Sequence, residues 1–192
     1  MTVTLIKQEE VCPLLILSKL EVEVRYADET IQKTGHVNHW YFKGWPDSGI
    51  PEKEEEMVAF NTLAGNLAEY ILMNYKTYTR EMLITCHDGR GISGTLVAIL
   101  AQTLMLRKDE KKKGGSIFNT VNWIRQYRCG LVENVTQYDF VFRYVELLKT
   151  HKAISFRDLT PDLLMEGQNA TDLQTNFSKT EATFLAHTYV KI

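Results

Sequence analysis

The residues best placed to do chemistry lie in Leu83–Thr95, LITCHDGRGISGT. The stretch reads as a buried strand, a glycine-bearing turn opening with Cys86, and the start of a helix at Ser93. A helix N-terminus presents unpaired backbone N–H groups and the positive end of a dipole, which suits an anion. The same field favours a thiolate, so a cysteine there is a candidate nucleophile. Gly89, Gly91 and Gly94 would let the backbone turn its N–H groups around a phosphate. The local pattern fits equally well a core cysteine that ends a strand before a tight turn.

Such a loop needs a strand before it and a helix after it. Met82–Cys86 is a short apolar run of strand length, and Ser93–Leu106 is apolar nearly all round, as a central buried helix is. Upstream, Thr2–Lys7 and part of Leu17–Arg25 alternate, Asp28–Gly35 is polar and turn-like, and His36–Trp45 alternates again with aromatic residues. These runs fit strands joined by short turns. The segment Trp45-Pro46-Asp47-Ser48-Gly49-Ile50-Pro51 is a loop. The helix expected after it has Pro51 in its first turn and Glu52, Glu54, Glu55 and Glu56 at its positive end. Met57, Phe60, Ala64, Leu67 and Ile71 recur at helical spacing and form its buried face. Ser116–Arg128 predicts a helix with Ile117, Val121 and Ile124 inward, and Thr136–Lys149 another with Phe140, Val141, Tyr144 and Leu148 inward. The loop Cys129–Val135 joins them. Residues 155–192 are polar and weakly periodic, and read as an extended or partly helical tail docked on another surface, following a domain over residues 1–154.

The 192 residues suffice for one domain with a real core, and 44% hydrophobic with 24% charged residues is the balance of an ordinary globular chain. A formal net charge of −2 points to neither nucleic acid nor an anionic membrane as partner. The basic run Arg107–Lys113 is broken by acids and reads as a solvated loop. No apolar run has the length of a membrane span. The three cysteines, Cys12, Cys86 and Cys129, have no metal-ligand spacing, and neither do His36, His39, His151 and His187, so no metal is assigned. The odd cysteine count, with no leader-like stretch, predicts a reducing intracellular compartment, and the Asn169 sequon reads as chance.

Taken together, dispersed segments resemble the protein tyrosine phosphatase family, in its receptor-type and cytosolic tyrosine-specific members. They are TVTLIKQEEV, KLEVEV, WPDSGIP, the strand ending in Cys86, and RCGLVENVTQYDFVFRYV, which run from Val3 to Leu148 in the family's order. The resemblance implies a twisted mixed α/β sheet flanked by helices, represented by the C-terminal portion of the family's domain. It places Cys86 on the thiolate that attacks phosphorus and Asp47 on the general acid for the leaving tyrosine oxygen. It also places Ser93 on the hydroxyl that assists departure of the thiolate, and Gln137 on a glutamine that helps place the hydrolytic water. The phosphate loop would be His87, Asp88, Gly89, Arg90, Gly91 and Ile92. No cofactor is implied.

The departures from that pattern set the expected function. Ile92 stands where the family signature C-x5-R-[ST]-G has its arginine, and Thr85 stands where a histidine usually precedes the cysteine. Arginine would bind the phosphoryl oxygens bidentately; isoleucine has no donors. Losing one such donor costs on the order of 3 kcal/mol in barrier, a hundredfold or more in rate. Arg90 is expected at the pocket mouth rather than as a substitute. Asp88 would repel a phosphate dianion, and Glu133 replaces a glutamine that contacts the water. The family's phosphotyrosine-recognition segment has no counterpart upstream. The chain is therefore expected either to be a piece of a longer one or to have its sheet completed by another polypeptide. The expected function is a catalytically impaired phosphatase-like protein serving as a protein-binding or structural subunit. Its rivals are an active phosphatase working through a cysteinyl-phosphate and a phosphotyrosine-binding module without turnover.

Overall fold

The computed structural model describes residues 1–25, 32–46, 49–74, 81–108, 115–150 and 187–191. Three long strands open the chain: β1 (Thr2–Cys12), β2 (Leu15–Arg25) and β3 (Gln32–Phe42). They form an antiparallel meander. Pro13 and Leu14 make the first turn, with Leu14 at φ 69°, a position glycine usually holds. The Lys43 N–H donates to the Leu14 carbonyl at 2.7 Å and ties that turn to the end of β3.

The helix α1 (Glu54–Asn74) follows, then β4 (Glu81–Thr85), α2 (Gly91–Lys108), α3 (Ile117–Tyr127), α4 (Val135–Thr150) and β5 (His187–Lys191). At the start of α1, the Glu56 carboxylate accepts from the backbone N–H groups of Glu52 and Lys53, each at 3.1 Å. This internal cap starts the helix after Pro51, which ends the loop instead of opening the first turn. Ser116 caps α3 by accepting from the Asn119 N–H.

One sheet contains all five strands, in the order β1-β2-β3-β5-β4. The last strand runs parallel to both neighbours, pairing Val37–Tyr41 of β3 on one side and Glu81–Thr85 of β4 on the other. Apart from β5, the 155–192 tail lies outside the described residues. The far edge of β4 carries no strand among the described residues, and Leu83 there is 60% exposed.

The core fills the space between the sheet and the helices. Leu15, Leu17, Trp40 and Phe42 meet Phe60, Leu63 and Leu67 of α1, Leu96 and Ile99 of α2, and Phe140, Val141 and Val145 of α4. The expected inward residues of α3 and α4 are inward, with Leu148 only partly buried. The alternation of Thr2–Lys7 does mark a strand, but not burial: that part of β1 is exposed on both faces, Val3, Leu5 and Ile6 included.

Candidate functional site

The strand β4 ends at Thr85 and delivers Cys86 to the turn that leads into α2. The thiol is partly exposed and His87 is exposed, while Gly91 and Ser93 are buried. Ser93 Oγ has no hydrogen-bond partner among the described residues. Ile92 turns a partly buried side chain towards the core.

Close approach to backbone requires glycine at 94, while at Gly91 the neighbours are the ends of flexible side chains. A Cβ at Gly91 would lie 2.8 Å from Gln137 Nε2 and 3.1 Å from Glu133 Oε2, so the loop and the 133–137 segment pack face to face. A Cβ at Gly94 would lie 2.5 Å from the backbone nitrogen of Val132. The Arg125 guanidinium fixes that opposing backbone, donating to the carbonyls of Leu131 at 2.8 Å and Val132 at 2.6 Å. Beyond it, the Glu133 N–H donates to Gln137 Oε1 at 2.9 Å, and the Gln137 N–H to Asn134 Oδ1 at 2.9 Å.

The electrostatics of the loop centre on Asp88. Its carboxylate accepts from the Arg90 N–H at 3.2 Å, from Arg90 Nε at 3.2 Å, and from Cys86 Sγ at 3.5 Å. The Arg90 N–H does most to hold the Asp88 carboxyl below the ordinary carboxylate range; desolvation opposes it, and the Cys86 thiol and Arg90 guanidinium add to it. Arg90 Nη2 also lies 3.4 Å from Glu133 Oε1, so its guanidinium spans two carboxylates. The Arg90 side chain is about half exposed.

The loop that follows β3 is anchored by Trp45. Trp45 Nε1 donates to the Gly49 carbonyl at 3.0 Å, and the indole packs edge-on against Phe60 at 5.5 Å and Phe140 at 5.9 Å. Asp47 and Ser48 lie outside the described residues.

A profile of the protein-tyrosine phosphatase family matches residues 1–146. The chain belongs to that family. Rat receptor-type tyrosine-protein phosphatase V is 30% identical over 125 residues, covering 65% of this chain and 7% of that protein. Human receptor-type tyrosine-protein phosphatase alpha is 24% identical over 141 residues, 73% of this chain and 16% of that one. The solved catalytic domain of human protein tyrosine phosphatase non-receptor type 18 superposes with a TM-score of 0.55 at 22% identity, covering 77% of this chain and 48% of that one. This protein thus has a partial phosphatase domain, spanning about half of the solved one and a small share of the receptor-type relatives.

Within this phosphatase domain, Cys86, Asp88, Arg90, Glu133 and Gln137 form one continuous contact surface. Two residues without an assigned role also support it. Arg128 Nη2 donates to the Asp88 carbonyl at 3.0 Å across forty residues of sequence, and Arg125 holds the opposing loop. Their signal in the sequence is two arginines just before Cys129-Gly130 at a helix C-terminus, where cations and freed carbonyls meet. Among the described residues, no cluster of three or more His, Cys, Asp or Glu could hold a metal, and no helix is long and apolar enough to cross a membrane.

Proposed function

We propose that this chain is a tyrosine-phosphatase-like protein with impaired chemistry, acting as a protein-binding or structural subunit. The carrying observation is the Asp88 carboxylate, which accepts hydrogen bonds from the Arg90 N–H, the Arg90 guanidinium and the Cys86 thiol together. A phosphate dianion entering this loop would meet a negative charge already using those donors. Glu133 draws Arg90 further outward, and Ile92 supplies no donor in its place. Cys86, Asp47, Ser93 and Gln137 then stand at the family's nucleophile, acid, hydroxyl and glutamine positions without the positive charge their chemistry needs. All three cysteines are free, which suits a reducing compartment inside the cell.

The purified chain, offered an aryl phosphate and a phosphotyrosine peptide, is expected to turn over no faster than its Cys86→Ser variant. Turnover that Cys86→Ser abolishes would overturn the proposal. The double substitution Ile92→Arg with Asp88→Ala is expected to raise vanadate binding at least tenfold by restoring a charged donor and removing a like charge. Undetectable vanadate binding in that variant would refute this account of the loop.

A further inference from the structure

A relay of side chains runs from the 130–137 segment to the thiol. Glu133 Oε1 lies 3.4 Å from Arg90 Nη2, and Arg90 Nε and Nη2 each lie 3.2 Å from Asp88 Oδ2. The other carboxylate oxygen, Oδ1, accepts from the Arg90 N–H at 3.2 Å and from Cys86 Sγ at 3.5 Å. A carboxylate is planar, so a guanidinium that holds Oδ2 also sets where Oδ1 points. The stem of Arg90 is placed as well: its Cδ lies 3.3 Å from where a Cβ on Gly130 would stand. Arg90 thus belongs to the cysteine loop by sequence and to the opposing segment by contact.

We propose that Glu133, Arg90 and Asp88 form a releasable clasp, in which Arg90 is a positioning residue that keeps the Asp88 carboxylate on the Cys86 thiol. The proposal rests on the impaired-chemistry reading above and gives that reading a moving part. With the clasp closed, the thiol is hydrogen-bonded and shielded on one side by the carboxylate. With Arg90 drawn away, Asp88 Oδ2 loses both guanidinium contacts and the carboxylate is free to swing off the thiol. Both ion pairs are about a third to a half exposed. Pairs of that kind are individually weak and weaken further in salt, so the clasp opens readily.

The test is the rate at which Cys86 of the full chain reacts with iodoacetamide, a small neutral reagent, at about pH 7. Peptide mass mapping separates Cys86 from Cys12 and Cys129, and a free cysteine peptide in the same buffer is the reference. Arg90→Ala and Glu133→Ala remove charges of opposite sign, so a plain field effect on the thiol would move the two rates in opposite directions. The clasp predicts that both rates rise, by about two- to fivefold, as the release of an exposed ion pair allows. Arg90→Lys, which keeps a cation between the carboxylates, should return the rate towards that of the parent. Raising sodium chloride from about 0.05 to about 1 M should speed the parent but not Arg90→Ala. Rates that move in opposite directions, stay unchanged, or rise in Arg90→Lys as far as in Arg90→Ala would overturn the proposal. So would a parent rate indifferent to salt. The assay contains no phosphate ester: turnover tests the functional reading and alkylation tests the clasp, so either can fail alone.

Discussion

Replacing Gly94 by alanine tests whether the wall of the site is set by backbone packing. The residue sits in the first turn of α2, where alanine should stabilise the helix by up to about 1 kcal/mol. Against that, the added methyl would fall 2.5 Å from Val132 N and 2.9 Å from Leu131 Cα. The obstacle is backbone, held in place by the two Arg125 bonds at 2.8 and 2.6 Å, and no side-chain rotation relieves it. Overpacking of this kind costs about 1–3 kcal/mol, with the upper part of the range apt where backbone must move. The expected net loss is about 1–2 kcal/mol, a fall in Tm of about 2–8 °C for a chain of this size. Urea and thermal unfolding measure it directly. Gly35→Ala is the control, because a Cβ there meets nothing within 4 Å, and its stability should equal or slightly exceed that of the parent. A Gly94→Ala protein as stable as the parent would refute the reasoning: the Leu131–Val132 backbone would be free to yield, and packing on α2 would not be what presents Glu133 to Arg90.

Burial pushes the Cys12 thiol up to about 11, despite a hydrogen bond with Thr62. An aromatic disulfide reagent at pH 8 should therefore modify exposed Cys129 in the folded protein and reach Cys12 only on unfolding; equal rates would contradict the packing of β1. At Glu56, burial opposes ionisation, but the Glu52 and Lys53 N–H groups and the Lys53 ammonium outweigh it and lower the carboxyl from its ordinary value of 4.5. A lowered folded-state value contributes stability above the unfolded value that is lost as pH falls through the folded one. Glu56→Gln should thus be less stable than the parent at pH 7, with the gap closing below about pH 4.5 in urea titrations. A gap unchanged down to pH 2 would rule out the capping role. Trp45→Phe keeps the aromatic packing but removes the donor to Gly49; a loss of about 0.5–1.5 kcal/mol is expected, and no loss would mean the indole bond does not hold the loop.

How far the sequence could be read depended on whether a feature was local. The cysteine turn, the four helices and the inward residues of α3 and α4 were legible because period and turn chemistry act over a few residues. The absence of a donor at Ile92 was legible because it is a matter of residue type alone. The pairing of Asp88 with Arg90 was not: whether side chains two apart meet depends on the backbone between them, here Gly89 at φ 67°. Nor was the reach of Arg128 to the Asp88 carbonyl, a contact made by the docking of α3. At the start of β1 the alternation marks a strand without burial, since alternation goes with burial only where something covers one face. The hardest element was β5. An inner parallel strand is held by main-chain bonds on both edges and need not alternate, and five residues are too few to carry a period. Such a strand leaves almost no trace in a polar tail, yet among the described residues it is the only strand paired with β4, which leads into the Cys86 turn. The pairing partner of β4 is thus the segment whose sequence says least, because main-chain pairing asks little of side-chain identity.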